Sequence, residues 1–404
     1  MSPPPPKRPR HRRFGLSVRA MMALVLILGG SLGWYVERVR IQRDAIAAIV
    51  RAGGDAYYQW QVGDDGDFLP AAEPPVPRWL IDRMDYDWFQ TVAYVQLRHG
   101  RASVTGGWET SHPELAQVAR LSHLRSLVAA ACPITDADLI HLRGLSRLEG
   151  LNLNCTLVKG PGLTNLEGLA HLKMLTLIGI PLSDADLAHV APLRSLEFLT
   201  LDTPHITDAG LAHLEGLTHL LHLNLRSARI TDAGLAHLRG LERLSSIGLL
   251  RMRVTSLAPL RCFAALEALN IQNNPIDDAG LAPIAGFGAL RRAWLRDTRI
   301  TDAGLAHLRN LTRLTVLDLR GNRITDAGLV HLAGLTQLEA LDLQRTAITD
   351  AGLAHLAGLA SCRKLDVTGT RVTRAGIAAL EAALPALRVI RNSSPTPAPT
   401  TDCP

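Results

Sequence analysis

Aromatic side chains are scarce: only 4% of the 404 residues are Phe, Trp or Tyr, although 47% are hydrophobic. A core must then be assembled mainly from aliphatic groups, which points to many similar small layers rather than one irregular interior. Signatures of metal and nucleophilic chemistry are missing as well. The five cysteines form no CxxC pair, and no HExxH, GxSxG or Walker-type loop occurs. Such motifs place ligands, nucleophile or phosphate-binding amides at fixed spacing, so the corresponding enzyme and zinc-module classes are excluded. We expect no catalytic residue, no cofactor and no metal.

Acidic residues are absent from the first 19 positions, where Lys7, Arg8, Arg10, Arg12, Arg13 and Arg19 supply six positive charges. The formal net charge is +6, so the remainder is formally neutral (6 − 6 = 0). A neutral body is a poor electrostatic match for a phosphate backbone, and no nucleic-acid partner is expected.

The basic start leads into AMMALVLILGGSLGWYV, Ala20 to Val36, 17 residues without a charge. As a helix it spans roughly 25 Å, against about 30 Å for a hydrocarbon core. Arg19 can snorkel, and Trp34 and Tyr35 stand where interfacial aromatics belong. We read residues 1–19 as a basic cytoplasmic N-terminus, 20–36 as a single transmembrane helix and 37–55 as a juxtamembrane helix. The same pattern of basic start, short apolar run and small residues also suits a cleaved signal peptide. Six positives before the span outweigh Arg38, Arg40, Arg43 and Arg51 after it, which favours an extracytoplasmic body.

The rest of the chain keeps writing one word. ITDAGLAHL begins at Ile206, Ile230, Ile300 and Ile348, and ITDAGLVHL at Ile324. The equivalent positions are Ile134, Val158, Leu182, Ile206, Ile230, Val254, Ile276, Ile300, Ile324, Ile348 and Val372, each 24 residues apart except Val254 to Ile276, which is 22. A fixed period over eleven units signals a stack of identical supersecondary units. In each, alternation such as Leu317-Asp318-Leu319 predicts a short half-buried strand, and Leu305, Leu308 and Leu311 predict a short helix.

These residues, LxxLxLxxTxITDAGLxxL in register, resemble the leucine-rich repeat. The closest types are the ribonuclease-inhibitor-like and F-box-associated cysteine-containing classes, found in bacterial single-helix membrane-anchored repeat proteins. The resemblance covers about Thr110 to Arg391. It implies an α/β solenoid, curved, with one short strand and one helix per coil and a protein-binding concave face. Two departures stand out. The turn position is Asn274 and Asn322 but Thr156, Thr298, Thr346 and Thr370 elsewhere, and no F-box-like segment precedes the repeats, so an adaptor role is not carried over. Residues 56–109 are assigned to a linker and N-terminal cap, 110–391 to the repeats and 392–404 to a disordered Pro/Thr tail.

The repeated Asp (Asp136, Asp184, Asp208, Asp232, Asp278, Asp302, Asp326, Asp350) stands ahead of each helix and is expected to cap it. The repeated His (His141, His189, His213, His237, His307, His331, His355) is expected on the convex side. Helix axes packed about 8–10 Å apart keep adjacent members from sharing a metal whose Zn–N bonds are about 2.1 Å. Cys262 and Cys362 read as small buried hydrophobes, and Cys132 and Cys155 as a bridgeable pair.

Identical residues distinguish no partner, so specificity must lie in the outward strand positions, among them Phe198, Asp202, His222 and Asp366. The candidate protein-binding residues are Arg226, Arg292, Trp294, Arg296, Asp318, Arg320 and Asp342, a basic patch around an exposed Trp beside an acidic row. The expected function is a membrane-anchored, non-catalytic module with a protein ligand and a monomeric body. The alternative is a structural envelope spacer without a specific ligand.

Overall fold

The computed structural model describes residues 18–61, 74–84, 86–98 and 113–391. The remaining parts of the N-terminus, the cap and the C-terminal tail assigned from sequence lie outside the described residues.

The expected membrane and juxtamembrane segments form one uninterrupted helix, α1 (Val18–Arg51). Its first part is exposed, with Leu26 at 75% and Ile27 at 67%. By length and composition it is long and apolar enough to cross a membrane. From Arg38 onward one face docks: Val39, Gln42, Ala45 and Ile49 are buried at spacings of three and four, the period of a helical stripe. Gln42 Nε2 donates to Asp87 Oδ1 (2.8 Å) and to the Gln90 carbonyl (2.9 Å), while its Oε1 accepts from Val92 N (3.3 Å). Tyr35 donates its hydroxyl to the Trp88 carbonyl. The helix stops at Arg51, short of the expected residue 55, because Gly53 takes φ +87° and Asp55 enters a strand. A left-handed C′ residue of this kind ends a helix and favours glycine.

The described residues build one fourteen-stranded sheet in strict chain order. The edge strand β1 (Asp55–Tyr58) runs antiparallel to β2 (Val92–Gln96), which pairs in parallel with β3 (Ser126–Val128). Each later coil adds one parallel strand, ending at Arg388–Ile390. Of the expected strand-and-helix coil the strand is present, with columns of Leu buried behind the sheet: Leu317, Leu341 and Leu365 pair in register and are each 1–2% exposed.

The helical part is smaller than the periodicity suggests. In six coils it is a single α-turn, such as Asp302–Leu305, followed by a 3₁₀ turn such as Ala306–Leu308; the coils at Asp138–Leu142, Pro161–Leu166 and Asp184–His189 have a 3₁₀ turn alone, and the last has a ten-residue helix, Arg374–Ala383. A full helix is about 10 Å wide, whereas strands repeat at about 4.8 Å, so a thin turn lets the coils stack closely.

The repeated Asp does not cap its own helix. Thr207, Thr231, Thr301 and Thr349 occupy the N-cap and accept from the amide two residues on. The Asp reaches instead to the following coil: Asp302 accepts from Thr325 N (2.8 Å) and Thr325 Oγ1 (2.6 Å), and Asp208 does the same with Thr231 (2.7 Å each). From Thr207 to Thr373 the Thr hydroxyls thus donate backward to a carboxylate, and most also accept from their own helix, whereas Thr135 donates to Asp138 of its own turn. The Gly of the word follows from this. A Cβ on Gly328 would overlap Asp302 Oδ1, and one on Gly352 would overlap Asp326 Oδ1.

The 22-residue coil breaks the pattern. Its TSL (Thr255–Leu257) replaces TDAGL, so both the α-turn and the bridging Asp are lost and only a 3₁₀ turn, Ala258–Leu260, remains. Leu257 N donates directly to the Gly280 carbonyl (2.9 Å), and Asp277 caps its own helix through Gly280 N (2.9 Å). Phe263 and Phe287, both fully buried, fill the space where neighbouring coils carry Leu.

Cysteine expectations change accordingly. Cys362 is buried, but Cys262 is exposed, at the position that Gly240 and Gly286, also exposed, hold in neighbouring coils. Cys132 is a free buried thiol, pushed up to about 11 first by burial and then by Glu114. Cys155 is disulfide-bonded, so the two are not bridged to each other.

Candidate binding face

The sheet side that faces away from the Leu core carries the residues singled out from sequence. Register places Trp294, Asp318, Asp342 and Asp366 in one row across four adjacent strands. Arg292 and Trp294 alternate with buried Ala293 and Leu295, so both point outward. Trp294 is half-buried rather than exposed, with the Arg292 guanidinium 5.9 Å from its ring centroid. A cation over an aromatic face is attracted to the ring quadrupole and holds both groups in place.

Beyond Trp294 the row is acidic and internally bonded. Arg320 N donates to Asp318 Oδ1 (3.0 Å), and Arg296 Nε lies 3.3 Å from Asp297 Oδ2. Gln344 spans two carboxylates, donating through Nε2 to Asp342 Oδ2 (3.0 Å) and Asp366 Oδ2 (2.9 Å). Burial raises Asp318 above the usual carboxylate range, opposed by the Arg320 amide and then by the Arg296 and Arg320 charges. Asp342 is pushed up to about 6, first by burial and then by the charges of Asp318 and Asp366, against the Gln344 amide.

Arg226 stands apart from this group. It pairs with Asp202 (2.9 Å), and two strands, Ser246–Leu250 and Ala268–Asn270, separate its strand from Arg292–Trp294. A second aromatic feature was not selected from sequence: Phe198 and His222 stack with centroids 4.4 Å apart and planes 6° from parallel. The available signal was two aromatic rings at one row position in consecutive coils. That row continues through Ser246 and Ala268 to Arg292, and burial followed by the Arg292 charge lowers the His222 pKa. A floor of small side chains, including Gly248 beside Asn224, thus lies between a stacked pair and a cation-covered Trp.

The repeated His residues lie on the turn side. His189 and His237 bond through Nδ1 to a Glu of the preceding coil, Glu167 (2.8 Å) and Glu215 (2.6 Å). Among the described residues no group of three or more His, Cys, Asp or Glu is placed to hold a metal ion.

Strand, Thr-capped turn and Leu columns in a 24-residue register define an α/β solenoid. Leucine-rich repeat profiles match residues 216–238, 265–285, 289–348 and 312–372, so those residues carry leucine-rich repeats. Among solved structures it is similar to an internalin, inlF, from Listeria monocytogenes, at 22% identity over 69% of this chain and 83% of that one, with a TM-score of 0.54. It is also similar to the functional domain of InlJ from the same organism (19%; 68% and 54%; TM-score 0.48). A Leptospira interrogans leucine-rich repeat protein matches at 14% identity (68% and 91%; TM-score 0.45). No curated protein matches the chain significantly.

Proposed function

We propose that the chain is a membrane-anchored, non-catalytic protein-binding module of bacterial type whose ligand lies on the concave strand face, centred on Trp294. The observation that carries this reading is the contrast between a repeated turn side and an unrepeated strand side, where the Arg292 guanidinium lies over the Trp294 ring. Trp and Arg are the side chains that most often anchor interfaces, since each covers a large area at low entropic cost or donates several hydrogen bonds. Asp318, Arg320 and Asp342 extend the surface with charges of both signs, and Arg226 marks its far margin.

The anchor reading rests on the exposed apolar part of α1 and its aromatic end at Trp34. The repeat domain is then extracytoplasmic and monomeric. We assign the repeats to the ribonuclease-inhibitor-like type on the ITDAGL word. N-terminal sequencing of the mature protein tests the anchor: a chain that begins near Trp34 has lost it, and a chain that begins at Met1 has kept it.

The spacer reading is favoured by one observation, the bonding of polar face groups among themselves, as in the ion pair of Arg226 with Asp202 and the hydrogen bonds of Gln344 to Asp342 and Asp366. Pull-downs from membrane extracts separate the two. A binding module loses its ligand on the double substitution Trp294→Ala, Arg296→Ala, whereas a spacer captures nothing specific in either form.

A further inference from the structure

At the opposite end of the solenoid, between the cap and the first coils, lies a recess of about 370 Å³. Its walls carry His123, Arg125, Arg147, His171 and Lys173, with Glu149 the one acid among its described lining residues. Glu149 is already engaged, 2.7 Å from Arg125 Nε and 3.4 Å from Lys173 Nζ. His123 is shared with a second recess of about 220 Å³ that runs along α1, where Trp34, Glu37, Arg38 and Arg120 line it. Among the described residues that line the two recesses five Arg or Lys face two Glu, an excess of three positive charges (5 − 2 = 3) before either His is counted.

Position gives this charge a direction. Arg38 is four residues beyond Trp34 on the same helix, about 6 Å at 1.5 Å per residue. When the apolar part of α1 sits in a bilayer, the mouth of the second recess lies at headgroup level. The basic walls then continue from it onto successive coils, which step about 4.8 Å apart. The fields converge: burial, followed by the Arg38 and Arg147 charges, lowers the pKa of His123.

We infer that this double recess binds the phosphodiester headgroup of an anionic phospholipid from the membrane that holds α1. Arg38 and Arg120 meet it at the surface, and Arg147 and Lys173 hold its charge within. The inference rests on the anchor reading. It fixes how the solenoid stands on its membrane, because a headgroup clamped against the first coils ties the helix end to the repeat domain.

The test uses the full chain reconstituted in phosphatidylcholine vesicles containing a minor share of phosphatidylglycerol. Lipids retained after extraction are counted by native mass spectrometry, with carbonate washing as a parallel readout of anchoring. We expect a carbonate-resistant chain that retains phosphatidylglycerol above its share. Arg147→Gln and Lys173→Gln should each lower that enrichment about fivefold, the effect of one basic residue near an anionic surface. Arg243→Gln with Arg313→Gln, exposed cations at the position of Arg147 in distant coils, should leave it unchanged. A chain that resists carbonate without enrichment, or an equal loss in the distant variants, overturns the recess and spares the anchor. Release by carbonate overturns the anchor itself. If millimolar inorganic phosphate shifts the imidazole resonances of His123 and His171 while phosphatidylglycerol is not retained, the site serves free phosphate and the lipid assignment falls.

Discussion

The turn side and the strand side of each coil obey opposite rules. On the turn side Thr, Asp, Gly and Leu recur because each is fixed by the next coil: the carboxylate bridges to a Thr, and the Gly leaves room for that carboxylate. On the strand side parallel backbone pairing holds the coils together, and side chains there range from Gly248 to Trp294. Regularity therefore marks where the protein contacts itself, and irregularity marks where selection by a partner can act.

The comparison can be broken most severely at the glycine. Gly328→Ala drives a methyl into Asp302, and the expected destabilisation is about 1–3 kcal/mol in chemical denaturation. A substitution to the same residue on the strand side, Gln272→Ala, should cost far less. Removing the bridge, Asp302→Ala, should cost about 1–2 kcal/mol, because two hydrogen bonds to a carboxylate are lost. The two changes share a contact, so in the Asp302→Ala background Gly328→Ala should become cheaper by about 1 kcal/mol, measured as a double-mutant cycle. Additive costs would contradict the account of the repeated glycine.

The short coil sharpens the same point. If the bridge needs its full geometry, Ser256→Asp gains nothing, because the Thr255 carbonyl already abuts Gly280 and the receiving Asp277 caps its own turn. Thermal melts should show no rise.

The smallest effect concerns Asp342. Its folded pKa of about 6 lies above the ordinary 3.8, so the folded chain holds this proton more tightly than the unfolded one. The group's stabilising contribution is then present at low pH and lost as pH rises through about 6. Acidifying from about pH 7 to about pH 5 should raise the melting temperature, and Asp342→Asn should remove roughly 1–2 °C of that rise.

The period, the parallel strand order and the buried Leu columns were legible in the sequence, since each is a consequence of spacing. The role of Asp was not, because a residue at the start of a helix reads as a cap, and only the stacked coils reveal an acceptor for Thr 23 residues later. The row from Trp294 through Asp366 was legible by counting. The Phe198–His222 stack and the basic recess were not, because they depend on side-chain direction and on the docking of α1 against a distant turn.

The most direct test of the central claim is a quantitative pull-down from membrane extracts with three forms of the protein: wild type, Trp294→Ala with Arg296→Ala, and His307→Ala with His331→Ala on the repeated turn side. The account predicts one specific ligand captured by the wild type and the histidine variant and lost, by about tenfold or more, from the strand-face variant. Equal capture by all three forms would contradict it.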